Sequence, residues 1–187
     1  MDTPIIIAVI AGTTRPKRES ISAARFVANV GASLPHTEII FVDPADYHLP
    51  HDGNDEENRN PAFTELTAKA DAFFIVTPEY NHSFPGSLKR LLDSEYDNYY
   101  HKPVAIAGCS NGAWGGVRAV EALTTALRGM ELLVSPYSVY FPKVQDIFDA
   151  SGTIKPEFAA RYTKNVTHVF AELAWLSSAL KNARKGV

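Results

Sequence analysis

The sequence predicts an α/β fold in which a parallel sheet is covered by helices on both faces, and two observations carry that prediction. Four short apolar runs, Ile5 to Ile10, Ile39 to Val42, Ala72 to Val76 and Val104 to Ala107, are continuous rather than alternating, as strands buried on both faces are. Between them lie stretches of helical period, with Ala23, Phe26, Val27, Val30 and Leu34 on one face, and Val117, Val120, Thr124 and Leu127 on another. Strand and helix therefore alternate, which implies right-handed crossovers.

Taken in order, the first run ends in a polar loop from Gly12 to Ser20, and the second leads to the segment His51 to Pro61. That segment is rich in Asp, Glu and Asn and is predicted as a solvated loop before a helix that starts near Pro61. After the third run, Pro85-Gly86 breaks the chain and begins a helix near Ser87 that extends to about Tyr100. A weaker run, Leu132 to Val134, supplies a fifth strand. The last helix is long, with Phe158, Tyr162, Val166, Val169, Phe170, Leu173, Leu176 and Leu180 on its buried side. Five such strands suit a flavodoxin-like three-layer sandwich with strand order 2-1-3-4-5, predicted as a single domain over residues 1–187.

Composition narrows the function. With 187 residues the chain has enough length for one sizeable core, and 45% apolar with 21% charged residues is the balance of an ordinary globular protein. A net charge of -3 lacks the basic excess that nucleic acid or anionic lipid demands, so small molecules are the expected partners. The run Ile5 to Ala11 is too short to span a membrane and leads into a polar loop rather than a cleavage site, so a cytoplasmic chain is expected. The single cysteine, Cys109, excludes an internal disulfide framework and reads as a small buried residue, because no basic partner stands near it.

In an open parallel sheet, ligands bind beyond the carboxyl ends of the strands, where helix N-termini present orphan N–H groups. The unusual residues of this chain fall there. The loop Gly12 to Ser20 combines hydroxyls with Arg15, Lys17 and Arg18 before a helix, which is what a phosphate dianion needs. It has neither the Gly-Lys-Ser/Thr of an ATP-binding loop nor the second glycine of a dinucleotide fingerprint. The same residues also suit a solvent-exposed basic turn with Ser20 as a helix cap. Thr77 to Ser83 places Tyr80 and Asn81 where they would flank a flat heterocycle, and it also suits a plain tight turn. Gly108 to Gly116 carries glycines that permit close backbone approach, with Trp114 as a wall or lid.

These loops, read in order, resemble the NAD(P)H-dependent FMN reductase family with its quinone and chromate reductase relatives. The resemblance rests on Gly12-Thr13-Thr14-Arg15, on Thr77 to Lys89 without a gap, on Leu92-Asp93, on Lys102-Pro103-Val104 and on Gly115-Gly116-Val117-Arg118. It implies an oxidoreductase holding FMN, with its phosphate on Thr13, Arg15, Ser20 and Arg18. It further implies an isoalloxazine ring against Pro78, Glu79, Tyr80 and Asn81, and a pocket completed by Ser110, Gly112, Trp114 and Gly115. Flavin carries the chemistry, so no acid/base dyad is needed. NADPH or NADH would stack on the ring and give up a hydride. A quinone, free flavin, dye or metal oxyanion would then take the electrons at the same place, which predicts ping-pong kinetics.

Two rivals belong to other classes. A flavodoxin-like electron carrier binds FMN without oxidising NAD(P)H, but such carriers are strongly acidic and lack arginine in the phosphate loop. A nucleotide-binding dehydrogenase is suggested by Asp43 at the end of the second strand, where an acid can hold a ribose, although Asp at that point is more often a turn residue. His48, His51 and Asp52 read as solvated loop residues rather than metal ligands. The helix from Ser87 carries Leu91, Leu92, Tyr96, Tyr99 and Tyr100, more apolar surface than one sheet face needs. The resemblance joins it in predicting a homodimer or homotetramer through the 87–100 region.

Overall fold

The computed structural model describes residues 4–49 and 59–184. Five strands, β1 (Ile5–Ala11), β2 (Thr37–Val42), β3 (Ala72–Pro78), β4 (Pro103–Ser110) and β5 (Leu133–Pro142), form one sheet in the order β2-β1-β3-β4-β5. All four neighbouring pairs are parallel. The helices are α1 (Ser20–Ala32), α2 (Pro61–Lys69), α3 (Gly86–Asp93), α4 (Val117–Gly129), the short α5 (Val144–Ile147) and α6 (Pro156–Arg184). The flavodoxin-like topology expected from the alternation is thus the observed one. Among the described residues no helix is long and apolar enough to cross a membrane.

The continuous apolar runs are explained by two cores, one on each face. Ile7, Val9, Ala11, Phe74 and Val76 pack with α1 and α6, through Ala23, Val27, Phe170 and Leu173. The alternate residues Ala8, Ile10, Phe73 and Ile75 pack with Phe63 of α2, Leu88 and Leu91 of α3, and Leu123 and Leu127 of α4. A strand whose neighbours in sequence face opposite cores has no polar position to alternate with.

Three expectations needed correction. The helix from Ser87 does not reach Tyr100: it ends at Asp93, where the Ser94 hydroxyl donates to the Leu91 carbonyl at 2.7 Å and competes with helical pairing. A 3₁₀ turn at Asp97–Tyr99 follows and drives Tyr99 inward, fully buried and edge-on to Phe73 with ring centroids 5.5 Å apart. Second, β5 runs well past Val134, to Pro142. Pro136 sits at a register shift between Val104 and Ile106, which an edge strand tolerates because its outer N–H groups have no partner to lose. Third, β2 is an edge strand of mixed exposure rather than one buried on both faces. The predicted loop from His51, with Asp52, lies up to residue 58 outside the described residues. Among those described, no cluster of His, Cys, Asp and Glu could hold a metal.

The amino edge of the sheet is closed by charge pairing. Asp71 is buried and accepts from the Ile6 amide at 3.1 Å and from Lys181 at 2.8 Å, while Arg184 lies 3.9 Å away and donates to the His101 carbonyl. The end of α6 is thereby tied to β1 and to the turn before β3. Beside it Lys102, also buried, donates to the Thr67 carbonyl at 2.7 Å. Burial and the neighbouring Arg184 guanidinium hold the Lys102 ammonium down to about 8.

Candidate functional site

The loop after β1 is built on a close approach. The Gly12 amide donates to the Val76 carbonyl at 2.8 Å, and a side chain at Gly12 would meet the Thr77 Cα at 2.7 Å, so the first turn of this loop lies directly on β3. Thr13 follows, only 2% exposed. Its hydroxyl accepts from the Arg15 amide at 3.2 Å and pairs with the Tyr80 hydroxyl at 3.2 Å. The Thr14 amide donates to the Ser87 hydroxyl at 3.4 Å, a tie to the first turn of α3.

Lys17 adopts a left-handed backbone with φ 53°, which turns the chain into α1. Helix α1 has no side-chain cap: Glu19 stands at the N-cap position with helical dihedrals and accepts nothing there through its carboxylate. The Ile21 and Ser22 amides turn back to the Arg18 and Glu19 carbonyls at 3.4 and 3.2 Å, so what no side chain offsets is the positive end of the helix dipole at the buried Ser20. Arg18 pairs with Asp43 at the end of β2, their side chains 14% and 13% exposed. Asp43 also accepts from the Ala45 amide at 2.9 Å, capping the 3₁₀ turn Pro44–Asp46. Each of its carboxylate oxygens thus has a partner within the chain, and Asp43 serves as a cap and an ion-pair partner.

The loop after β3 is a tight turn. Tyr80 and Ser83 exchange backbone hydrogen bonds of 2.7 and 3.0 Å, and between them Asn81 and His82 have φ of 49° and 65°, the arrangement of a type I′ turn. Both tip residues are exposed. Glu79 is anchored at each end: its amide donates to the Cys109 carbonyl at 2.9 Å, and its carboxylate accepts from the Arg118 amide at 3.2 Å and pairs with the Arg118 guanidinium. The Glu79 side chain thus caps α4 from another loop.

In the loop after β4, Gly115 and Gly116 have φ of 63° and 84°. A side chain at Gly116 would meet the Cys109 amide nitrogen at 2.6 Å, and one at Gly108 would meet the Gly115 carbonyl at 2.6 Å, so these glycines close the loop onto its own strand. The Gly112 carbonyl accepts from the Ser110 hydroxyl and from the Lys143 amide, each at 3.0 Å. Gln145 of α5 donates to the Asn111 carbonyl at 3.3 Å, so the β5–α5 junction fixes this loop from outside.

The three loops meet at a cleft of about 440 Å³ lined by Arg15, Lys17, Arg18, Glu19, Ser20, Pro78, Glu79, Tyr80, Cys109, Ser110, Asn111 and Val144. Thr13 backs it through Tyr80 and Arg15. Of the other residues the resemblance nominated, Asn81 projects at the turn tip, Gly112 lies in the exposed part of its loop, Gly115 packs against Tyr140 and Pro142, and Trp114 is 69% exposed. None of those four lines the cleft. Sequence reasoning missed Asn111 and Val144; Val144 follows a strand that was read as ending at Val134, so nothing brought it to this edge. Burial pushes the Cys109 thiol well up, which keeps it protonated and inert. A second, more open cleft of about 550 Å³ lies beyond β2, lined by Phe41, Asp43, Tyr47, His48, Arg59 and Asn60 among others.

The donor set of the first cleft is specific in its chemistry. One end offers arginine, lysine, a serine and uncapped helix amides, which match a phosphate dianion. The other offers a proline, a tyrosine ring and backbone polar groups, which match the flat face and polar edge of a heterocycle. A phosphorylated planar cofactor fits both ends.

Comparison with known proteins agrees. Residues 5–146 match the family model described as NADPH-dependent FMN reductase. A 2-hydroxy-1,4-benzoquinone reductase of Burkholderia sp is 32% identical over 180 residues, covering 91% of this chain and 95% of that one. An NAD(P)H-dependent FMN reductase of Schizosaccharomyces pombe is 29% identical over 174 residues, covering 88% and 84%. The fold is shared with FerB, a flavoenzyme NAD(P)H:(acceptor) oxidoreductase of Paracoccus denitrificans, at a TM-score of 0.71 and 23% identity over 93% of this chain and 98% of that one. The chain therefore belongs to the NADPH-dependent FMN reductase family, oxidoreductases that use FMN with NAD(P)H as co-substrate.

Proposed function

We propose that this protein holds FMN in the cleft between the β1, β3 and β4 loops and reduces quinones or similar small acceptors with electrons from NAD(P)H. Donor and acceptor use the same open face in turn. The observation that carries the reading is the joining, in one cleft, of an uncapped basic helix start with a proline and tyrosine wall. Bound there, FMN supplies the redox chemistry, taking a hydride from the nicotinamide and passing electrons to the acceptor.

The protein's own part is binding and orientation. Arg15, Lys17 and the first α1 amides supply charge and donors for the phosphate. With the Tyr80 hydroxyl donating to Thr13, the single Thr13 proton is left for a phosphate oxygen. Pro78 and the Tyr80 ring face the isoalloxazine, Ser110 and Asn111 its polar edge, and Glu79 acts through its backbone because its carboxylate is engaged by Arg118. Asn81, Gly112 and Trp114, lying outside the cleft, meet the incoming substrate or close over it. The relative named as a 2-hydroxy-1,4-benzoquinone reductase favours a quinone among the acceptors.

The test is a visible spectrum of the purified protein followed by anaerobic addition of NADPH or NADH. Flavin bands that bleach, and parallel double-reciprocal plots with a quinone, support the proposal. Flavin that stays oxidised would reduce the protein to an electron carrier, and intersecting plots would remove the shared site.

Self-association through the 87–100 region now rests on Tyr96 and Tyr100, a half-buried edge-to-face pair with centroids 5.2 Å apart, since Leu91, Leu92 and Tyr99 lie in the chain's own core. Light scattering of wild type and Tyr96→Ala decides it: a dimer mass that falls in the variant supports it, and a monomer mass in the wild type ends it.

A further inference from the structure

We infer that Asp43 is a positioning residue for the cofactor phosphate: it latches the phosphate loop to the end of β2 through Arg18 and holds it in its binding shape. This rests on the placement of the FMN phosphate proposed above.

The latch has three parts. Asp43 sits at the carboxyl end of β2, the edge strand, where one oxygen accepts from the Ala45 amide at 2.9 Å and fixes the carboxylate in place. Its other oxygen pairs with Arg18, and both side chains are largely shielded from water. Arg18 in turn lies immediately before the uncapped start of α1: its carbonyl accepts from the Ile21 amide, so fixing Arg18 fixes the first turn of the helix. Arg18 also lines the cleft, and its Nε is buried without a hydrogen-bond partner. Its guanidinium is thus held by a partner on one side and left with an unused donor.

Charge and geometry point to the same conclusion. A mobile basic loop pays the ordering cost when the phosphate arrives, whereas a loop already pinned does not. Lys17 has a left-handed backbone, so the segment that presents Arg18 is held against its local preference and needs an external tie. The Asp43–Arg18 pair is that tie, and it joins residues 25 positions apart. Asp43 does not line the cleft, so its effect reaches the cofactor only through Arg18.

The experiment compares FMN with riboflavin, which has the same ring and no phosphate. Full-length protein freed of flavin is titrated with each by flavin fluorescence, for wild type, Asp43→Asn, Asp43→Glu, Arg18→Met and the double variant Asp43→Asn/Arg18→Met. Asparagine keeps the acceptor for the Ala45 amide and replaces the oxygen that pairs with Arg18 by an NH2, removing the charge and that acceptor together. The expected result is that Asp43→Asn weakens FMN by at least about tenfold and changes riboflavin by less than about twofold. Asp43→Glu recovers most of the loss, and Asp43→Asn adds nothing once Arg18 is Met.

Equal weakening of both flavins would mean a merely structural role and overturn the inference. So would an unchanged or tighter FMN complex in Asp43→Asn, or a full Asp43→Asn effect persisting in the Arg18→Met background. If Asp43→Asn does not fold, Asp43→Ser, which also keeps an acceptor for the Ala45 amide, carries the same comparison: selective loss of FMN that disappears in the Arg18→Met background supports the latch, and no selective loss overturns it. A wild type that binds riboflavin as tightly as FMN fails one step earlier, because it removes the phosphate from this loop altogether.

Discussion

The two edges of this sheet treat charge in opposite ways. At the amino edge Asp71, Lys181, Arg184 and Lys102 are tied to one another or to backbone carbonyls, and they fasten the end of α6 to β1. At the carboxyl edge Arg15 and Lys17 line a cleft beside a helix start that no side chain caps. The amino edge spends its polar groups on stability, and the carboxyl edge keeps part of its own in reserve for a ligand. Even there, the glycines serve the fold: Gly12 and Gly116 let the loops lie on their strands, and Glu79 and Asp43 brace the loops from neighbouring elements.

Substitutions can break this contrast in order of expected effect. Gly116→Val puts a β-branched residue at φ 84° with its Cβ 2.6 Å from the Cys109 amide nitrogen. Backbone strain and overpacking together should cost about 3 kcal/mol, seen as a large fall in the urea midpoint with loss of flavin. Asp71→Ala leaves Lys181 and the Ile6 amide without their carboxylate; because Lys181 is partly exposed, the cost should be about 2 kcal/mol. Flavin affinity measured well below the melting point should not change, and a parallel loss of flavin would show that the edges are coupled.

Lys102 gives the amino edge a pH signature. Its ammonium is held at about 8 in the fold against an unfolded value of 10.5. Above about 8 the unfolded chain therefore binds more protons than the folded one, and the Lys102 contribution to stability rises with pH until about 10.5. From about pH 7 to about pH 9 the stability of wild type relative to Lys102→Met should rise by about 1 kcal/mol. A flat or falling difference in chemical denaturation would contradict the burial of that ammonium. Smallest is Glu79→Gln, which weakens a pairing with the half-exposed Arg118 and should cost about 0.5 kcal/mol in melting experiments.

The sequence made the strands legible because β1, β3 and β4 are buried on both faces, and it made the site legible because chemistry-bearing residues recur after those strands. Thr77 to Lys89 named the family before any geometry did. What stayed hidden was pairing across distance. Arg18 reads as one more phosphate ligand until Asp43, 25 residues on, is seen to hold it. Glu79 reads as a ring contact until Arg118, 39 residues on, takes its carboxylate. Asp71 and Lys181 are 110 residues apart, and no local pattern joins them. Tyr99 reads as surface on a continuous helix; only the stop at Ser94 and the turn after it send the ring into the core. Val144 escaped notice because Pro136 and Pro142 disguise the length of β5.

The most direct test of the contrast between the edges is a crystal structure of the protein grown with FMN. The phosphate should lie at the start of α1 between Arg15 and Ser20, with the ring along Pro78 and Tyr80, while Asp71 keeps Lys181 as its partner. FMN in the cleft beyond β2, with its phosphate away from Arg15 and Ser20, would contradict it.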